Sequence, residues 1–186
     1  MGMYNAAPYL QLQAYLDVLQ VSVVNPQAFW SRLWDFFGVK AQTRGRRVLV
    51  DADQMPGGRF FPDAKLNYAE NLLKRNDAAP ALIFWGEDKV KTTTSWHELN
   101  ARVAQTHRAL AKAGIKAGDR VCAVVPNHHE TILAFLAVAS LGAIWSSFSP
   151  DFGDAGILDR FGHIEPQMMF TCSTYFYGRH NPGLSP

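Results

Sequence analysis

The stretch "DRVCAVVPNHHETILAFLAVASLGAIWSSF", residues 119–148, decides the fold class of this 186-residue chain. It opens with a near-continuous apolar run, "DRVCAVVP", and closes with a second one, "AIWSSF". Between them, residues 128–141 have the length and composition of a helix. A strand that is apolar on both faces is typical of a parallel sheet with helices packed on both sides. The stretch therefore predicts a strand, a helix and a strand of an α/β fold.

The same alternation extends in both directions along the chain. Before this stretch, "ALIFW" and "VKTTTS" predict a hairpin around residues 86–89, and Ser95 with Glu98 forms a capping box that starts a helix ending at Gly114. After it, "DAGILDRFGHIEP" predicts a helix and "QMMFT" a strand. We therefore expect a mostly parallel sheet with helices on both faces.

The N-terminal part of the chain has a different character. It contains aromatic-rich amphipathic helices and irregular connections; in "NPQAFWSRLWDFFGV" we expect Asn25 to cap a helix that continues from Pro26 and ends at Gly38. We therefore divide the chain into a helical segment (1–76), an α/β part (77–178) and a divergent tail (179–186).

Composition narrows the classes of function. The chain is 48% hydrophobic with a net charge of +2, and it has no long run of Lys and Arg that would indicate nucleic-acid or membrane binding. Its longest apolar run, residues 131–145, is shorter than the roughly 20 residues that a membrane-spanning helix needs. The N-terminus lacks the pattern of a secretory signal, and there are only two cysteines, Cys122 and Cys172. These features favour a cytoplasmic protein.

Standard catalytic motifs are missing from the 186 residues. There is no GxGxxG, GxxxxGK[ST] or GxSxG pattern, which argues against a Rossmann-type oxidoreductase. His128, His129 and Glu130 are adjacent, but no further histidine follows at the spacing of a zinc protease, so we expect no metal site there. Glu130 instead suits the positive end of a helix dipole. Residue spacing alone yields no catalytic constellation.

Five ordered segments carry a resemblance to a known family. They are "FFPDAKLNYAENLL", "SWHELNARVA", "AGIKAGDRVCAVVPN", "ASLGAIWSSFSPDFG" and "LDRFGHIEPQMMFT". The set resembles the N-terminal region of the acetoacetyl-CoA synthetase family, a branch of the acyl-adenylate-forming superfamily. It covers most of residues 15–178, and "LNYAENLL" with "GAIWSSFSPDFG" is specific to the acetoacetate branch.

The resemblance implies an acid–thiol ligase of ketone-body or lipid metabolism that uses ATP, Mg²⁺ and coenzyme A. Acetoacetate would react with ATP to give an acyl-adenylate and pyrophosphate, and coenzyme A would then displace AMP. In that family the phosphate loop and the catalytic lysine lie beyond the point equivalent to Pro186. We therefore expect an incomplete N-terminal part of the adenylate-forming fold, inactive by itself, with no catalytic, ATP-binding or metal-binding residue to assign.

Two departures from the family pattern accompany the resemblance. Val21 stands where the family has tryptophan, and the tail "RHNPGLSP" follows a different course after Gly178. We interpret the divergent tail as the mark of a truncated gene, an alternative transcript or a fragmentary gene model. Because part of the sheet would then be missing, we also expect an uncovered edge at "QMMFT" and poor solubility.

By the same resemblance, Ser146 and Ser147 lie near the path of coenzyme A, and Arg179 falls near a phosphate-binding arginine. An alternative interpretation makes the serine turn a strand end with Ser149 or Asp151 capping the next helix. Arg179 follows the point of divergence, and the alternative interpretation makes it a tail residue without a binding role. Two alternative functions also stay open: a non-catalytic binding or interaction module, and another short-chain acyl-CoA synthetase.

Overall fold

The computed structural model describes residues 15–86, 90–173 and 175, and these form two compact units, one up to Asn67 and the other from Tyr68 onward. The helices are α1 Tyr15–Val24, α2 Pro26–Phe36, α3 Tyr68–Leu72, α4 Trp96–Lys112, α5 His129–Ser140 and α6 Gly153–Ile164. The strands are β1 Leu49–Val50, β2 Arg59–Phe60, β3 Pro80–Gly86, β4 Val90–Ser95, β5 Arg120–Val124, β6 Ile144–Phe148 and β7 Met168–Thr171.

The first unit contains α1, α2 and the two-residue antiparallel ladder of β1 with β2. Asn25 caps α2 by accepting a 3.2 Å hydrogen bond from the N–H of Ala28, and Pro26 is the first helical residue, as expected. Gly38 follows the helix with φ +54°, a conformation that glycine adopts without strain. Phe29 is buried at the centre of a small apolar cluster that also contains Val18, Val21, Leu33 and Phe36.

The second unit opens with the hairpin that the sequence predicts. β3 and β4 pair antiparallel, from Pro80 opposite Ser95 to Gly86 opposite Val90. The turn residues 87–89 lie outside the described residues. Ser95 and Glu98 form the expected capping box, and α4 ends at Lys112, two residues before Gly114 with φ +93°.

A three-stranded parallel sheet in the order β6-β5-β7 forms the centre of the second unit. Val121 of β5 lies opposite Trp145 of β6 and Met168 of β7. Because side chains alternate along a strand, these three residues share one face of the sheet, and Cys122 points to the other. The prediction of a parallel sheet is confirmed.

Helices cover both faces of this sheet. On one face, α4 and α5 pack against Val121 through a core that includes Leu99, Val103, Leu133 and Leu136. On the other, α6 packs Phe161, Ile157 and Ile164 against Cys122, Val124 and Phe148. The expected α/β class with helices on both faces is therefore confirmed. In the described part of the chain, none of the helices is both long and apolar enough to cross a membrane.

Candidate functional site

The candidate site lies at the carboxyl ends of the parallel strands. The chain leaves β5 toward α5 on one face of the sheet, and it leaves β6 toward α6 on the opposite face. Two neighbouring parallel strands whose connections part in this way leave a crevice between the loops that follow them. Ligands of open α/β sheets bind in such a crevice, so this edge of the sheet is the candidate binding site.

A cavity of about 680 Å³ occupies this position, within the range of small-molecule sites. Residues from the segments that follow β5, β6 and β7 line it, together with residues of the β3–β4 hairpin. Val125, Pro126 and Asn127 come from the first of these segments, Ser149 and Asp151 from the second. All of the described residues that line it belong to the second unit.

Aromatic side chains supply much of the cavity wall. Trp145 of β6 and Phe170 of β7 line it from the sheet, with ring centroids 6.0 Å apart. Phe84 and Trp85 line it from the hairpin, and Trp85 is 69% exposed with the Lys91 ammonium 4.5 Å from its ring centroid. Such a wall suits a ligand with an apolar or flat surface.

A polar cluster stands at the start of α5, on the side of the cavity nearest the hairpin. His128 is the N-cap and contacts Glu130 through Nδ1, while His129 Nε2 lies 2.9 Å from Glu130 Oε1. Arg102 of α4 donates a 3.0 Å hydrogen bond to the same Oε1. On its other side, His129 Nδ1 lies 3.4 Å from the hydroxyl of Thr92 in β4. Glu130 therefore links α4, α5 and both histidines.

Burial and charge change the pKa values within this cluster. Loss of hydration lowers the pKa of His129, and the negative charge of Glu130 opposes that effect only in part. For Glu130, burial acts to raise the pKa, but the hydrogen bond from Arg102 and the charges of the two histidines outweigh it, so that the pKa is lowered. Glu130 is thus ionised at neutral pH.

A second polar group among the lining residues lies in the segments that follow β6 and β7. Asp151 accepts a 2.6 Å hydrogen bond from the hydroxyl of Ser149 and a 3.0 Å hydrogen bond from the hydroxyl of Tyr175. Ser149 in turn accepts a 3.4 Å hydrogen bond from the N–H of Asp151 and caps a 3₁₀ turn, Pro150–Phe152. The cap that the sequence places here therefore serves this turn, whereas α6 begins without a side-chain cap.

The serines singled out by the sequence lie in β6, one on each face of the sheet. Ser146 pairs with Cys122 and is half-buried, and Ser147 pairs with Ala123 and is exposed. Among the described residues, Ser149 and Asp151 line the cavity, whereas Ser147 and Ser146 lie two and three residues before Ser149 in the sequence. Arg179 lies outside the described residues.

Sequence reasoning did not assign His128, Glu130, Trp85 or Tyr175 to a common site. Part of this site could have been predicted from the sequence, because residues that follow parallel strands meet at one edge of a sheet. That rule could have gathered the segments after β5, β6 and β7. The contribution of Trp85 could not be predicted by this rule. The residue pattern of a hairpin does not determine which part of the sheet the hairpin packs against.

Among the described residues, the structure gathers one group of three side chains able to hold a metal ion, formed by His128, His129 and Glu130. Their candidate ligand atoms lie within 4.8 Å of one another. Mg²⁺ prefers an octahedral shell of oxygen atoms, so a group with two imidazole nitrogens does not suit the Mg²⁺ of ATP chemistry.

Two family models match the chain. The model described as AMP-binding enzyme matches residues 69–183, and the model described as acetyl-coenzyme A synthetase N-terminus matches residues 15–72. The acetyl-coenzyme A synthetase N-terminus match falls mostly on the first compact unit, and the AMP-binding enzyme match falls on the second.

Curated relatives give the same picture. The chain is 51% identical over 156 residues to an acetoacetyl-coenzyme A synthetase of Rhizobium meliloti (strain 1021), covering 84% of this chain and 24% of the relative. It is 40% identical over 174 residues to an acetoacetyl-CoA synthetase of Danio rerio, covering 90% and 25%. A malonamoyl-CoA synthetase of Penicillium aethiopicum is 36% identical over 182 residues, covering 94% and 25%. The chain thus spans about a quarter of the length of these relatives.

A solved structure shares the fold. The acetoacetyl-CoA synthetase from Streptomyces lividans superposes with a TM-score of 0.84 at 37% sequence identity. The superposition covers 92% of this chain and 27% of that one. The expectation that these residues form an N-terminal part of that fold is confirmed.

Proposed function

Because the chain belongs to the AMP-binding enzyme family, we propose that it forms the N-terminal part of an ATP-dependent acetoacetate–CoA ligase. The observation that carries this proposal is the match to the acetoacetyl-CoA synthetase of Streptomyces lividans over 92% of the chain. The relative with 51% identity carries the same name, which supports acetoacetate as the acid.

The proposed reaction balances in two displacements. A carboxylate oxygen of acetoacetate bonds to the α-phosphorus of ATP, and pyrophosphate leaves. The sulfur of coenzyme A then bonds to the carbonyl carbon of the adenylate, AMP leaves, and the thiol proton is released. Mg²⁺ would offset the charge of the phosphates. The group of His128, His129 and Glu130 does not suit Mg²⁺, so we do not assign these residues to the Mg²⁺ of ATP.

Within this scheme the chain would contribute one side of the path of coenzyme A. The cavity lies directly beyond the carboxyl end of β6, where Ser146 and Ser147 stand, and its aromatic wall suits the apolar part of a pantetheine arm. We retain Ser146, Ser147 and Arg179 as candidates near coenzyme A. The division of the chain at residues 76 and 178 and a cytoplasmic location are likewise proposals.

The test compares three proteins in an assay for pyrophosphate release with ATP, Mg²⁺, coenzyme A and acetoacetate. The first is the 186-residue chain, the second is the part of the Rhizobium meliloti enzyme that follows the matched region, and the third joins the two. We expect turnover from the joined protein only. Turnover by the 186-residue chain alone, at the rate of a complete enzyme, would contradict the proposal that it is inactive by itself.

The choice of acid is tested with the same joined protein. One relative is named for malonamoyl-CoA, so malonamate, acetate and acetoacetate are compared as substrates. A kcat/KM highest for acetoacetate supports the proposed acid. A preference for acetate or malonamate would favour another short-chain acyl-CoA synthetase, and it would leave the reaction type unchanged.

A second candidate function is a non-catalytic binding module, and one observation favours it. The described residues of the second unit alone form a cavity of about 680 Å³, which is large enough for a small ligand. Equilibrium dialysis of the 186-residue chain with radiolabelled coenzyme A tests this candidate. Saturable binding that Trp85→Ala weakens would support a module, and binding unaffected by that variant would place coenzyme A elsewhere.

A further inference from the structure

We propose that His128, His129 and Glu130 form a binding site for one divalent transition-metal ion of the Zn²⁺ type on the wall of the cavity. The distances between the three residues support this proposal, because one candidate ligand atom of each residue lies within 4.8 Å of the other two. Ligand atoms around a tetrahedral ion bound at about 2.0–2.2 Å are roughly 3.4 Å apart. Small side-chain rotations would therefore bring all three onto one ion.

The donor set selects the class of ion. Two imidazoles and one carboxylate are borderline ligands that suit Zn²⁺, Co²⁺, Ni²⁺ and Cu²⁺, and they suit Mg²⁺ and Ca²⁺ poorly. Three protein ligands leave at least one coordination position open. Because His128 and Glu130 both line the cavity, that position would face its interior, where water or a small ligand can occupy it.

His129 has a contact on the ring nitrogen that does not face Glu130, as metal-binding histidines commonly do. Its Nε2 points toward Glu130 at 2.9 Å, and its Nδ1 lies 3.4 Å from the hydroxyl of Thr92. A hydrogen-bond partner on the second nitrogen fixes the ring orientation and leaves the first nitrogen available to a metal. The side chain of His129 is only 11% exposed, so its position is set by packing.

Two features of the cluster reduce its affinity for a cation. Arg102 donates a hydrogen bond to Glu130 and brings a positive charge next to the site. The site also lies at the start of α5, the positive end of the helix dipole. We therefore infer that removing the charge of Arg102 tightens metal binding, which a purely structural role of the cluster would not produce.

The experiment titrates the untagged, chelator-treated 186-residue chain with ZnCl₂ by calorimetry and with CoCl₂ by visible absorption. We expect one Zn²⁺ per chain and an intense Co²⁺ spectrum of four- or five-coordinate type, with MgCl₂ unable to compete. His128→Asn keeps an N-cap acceptor and Glu130→Gln keeps the shape; each should weaken Zn²⁺ binding at least about tenfold. Arg102→Gln should tighten it several-fold.

The matched control is His163→Gln, which removes an exposed histidine on α6 and should leave the affinity unchanged. Circular dichroism establishes that each variant folds, and a Zn²⁺-dependent rise in Tm should be lost in His128→Asn and Glu130→Gln. No saturable Zn²⁺ binding by the wild-type chain would overturn the proposal. So would the same dissociation constant in the folded His128→Asn and Glu130→Gln variants.

Discussion

The hydroxyl of Tyr175 donates a 3.0 Å hydrogen bond to Oδ1 of Asp151. This contact joins the segment after β7 to the segment after β6, and both residues line the cavity. It is a long-range contact between two irregular segments, and the same carboxylate also accepts a hydrogen bond from Ser149.

Tyr175→Phe removes the phenolic hydroxyl and keeps the ring. We expect the free energy of unfolding to fall by about 0.5–1.5 kcal/mol, the usual net value of one hydrogen bond. Urea unfolding measures the change. Tyr68→Phe is the matched control, because the ring of Tyr68 contacts Phe135 and the residue is exposed. Equal losses in the two variants would show that the contact with Asp151 contributes nothing specific.

The capping box of α4 makes a prediction about pH. Glu98 Oε2 accepts hydrogen bonds of 2.8 Å from the N–H and the hydroxyl of Ser95, and these contacts lower the pKa of Glu98. A carboxyl whose pKa is lowered by folding stabilises the folded state above its unfolded pKa of about 4.3. That contribution is lost as the pH falls through the lower, folded pKa.

In Glu98→Gln the side chain has the same length and can still accept the hydrogen bonds from Ser95, but it cannot titrate. The free energy of unfolding of this variant should therefore fall less than that of the wild type between pH 5 and pH 3. Urea unfolding at several pH values measures the difference. Ser95→Ala should cost about 1 kcal/mol at pH 7 through loss of the N-cap. Parallel pH profiles for the wild type and Glu98→Gln would contradict the assignment.

The core on one face of the sheet predicts a large effect of shortening a buried side chain. Leu136 of α5 is 3% exposed and belongs to the cluster that packs against Val121. Leu136→Ala should destabilise the chain by about 2–5 kcal/mol, because it removes apolar contacts and leaves a cavity. Leu158→Ala on α6, where the side chain is 72% exposed, should change stability by less than about 0.5 kcal/mol. Similar losses would mean that α5 is not the helix that covers this face.

Particular residues show why most of the fold could be predicted from the sequence. The run around Cys122 is apolar on both faces, and in the structure one face packs on α5 and the other on α6. Helix starts at Asn25 and Ser95 depend only on hydrogen bonds within one turn, so local sequence determines them. Arg160 follows Asp159 directly on α6, and adjacent residues of a helix do not face each other. Its guanidinium lies 4.9 Å and 4.8 Å from the ring centroids of Phe148 and Phe152.

The candidate site was less predictable, because its residues are distant in the sequence. Glu130 and Arg102 are 28 residues apart, and Tyr175 and Asp151 are 24 apart. The hydrophobic periodicity of one segment does not determine how far that segment lies from another part of the chain. The resemblance to a family predicts Ser146 and Ser147 as site residues, whereas Ser149 and Asp151, a few residues later, line the cavity.

The two cysteines make a prediction about the accessibility of the cavity. Cys122 is 0% exposed in the middle of the sheet, and Cys172 is half-buried in the cavity wall. Burial raises the pKa of both thiols, so the reactive thiolate is scarce at pH 7.

Alkylation of the native chain by iodoacetamide should therefore modify Cys172 slowly and Cys122 only after unfolding. The rate at Cys172 should continue to rise above pH 8.5, and a ligand in the cavity should reduce it. Mass spectrometry of the modified peptides measures both sites, and Cys172→Ser is the control that leaves Cys122 as the only thiol. Rapid modification of Cys122 in the folded chain would show that the sheet opens readily. If saturating coenzyme A leaves the alkylation rate of Cys172 unchanged, coenzyme A binds outside the cavity.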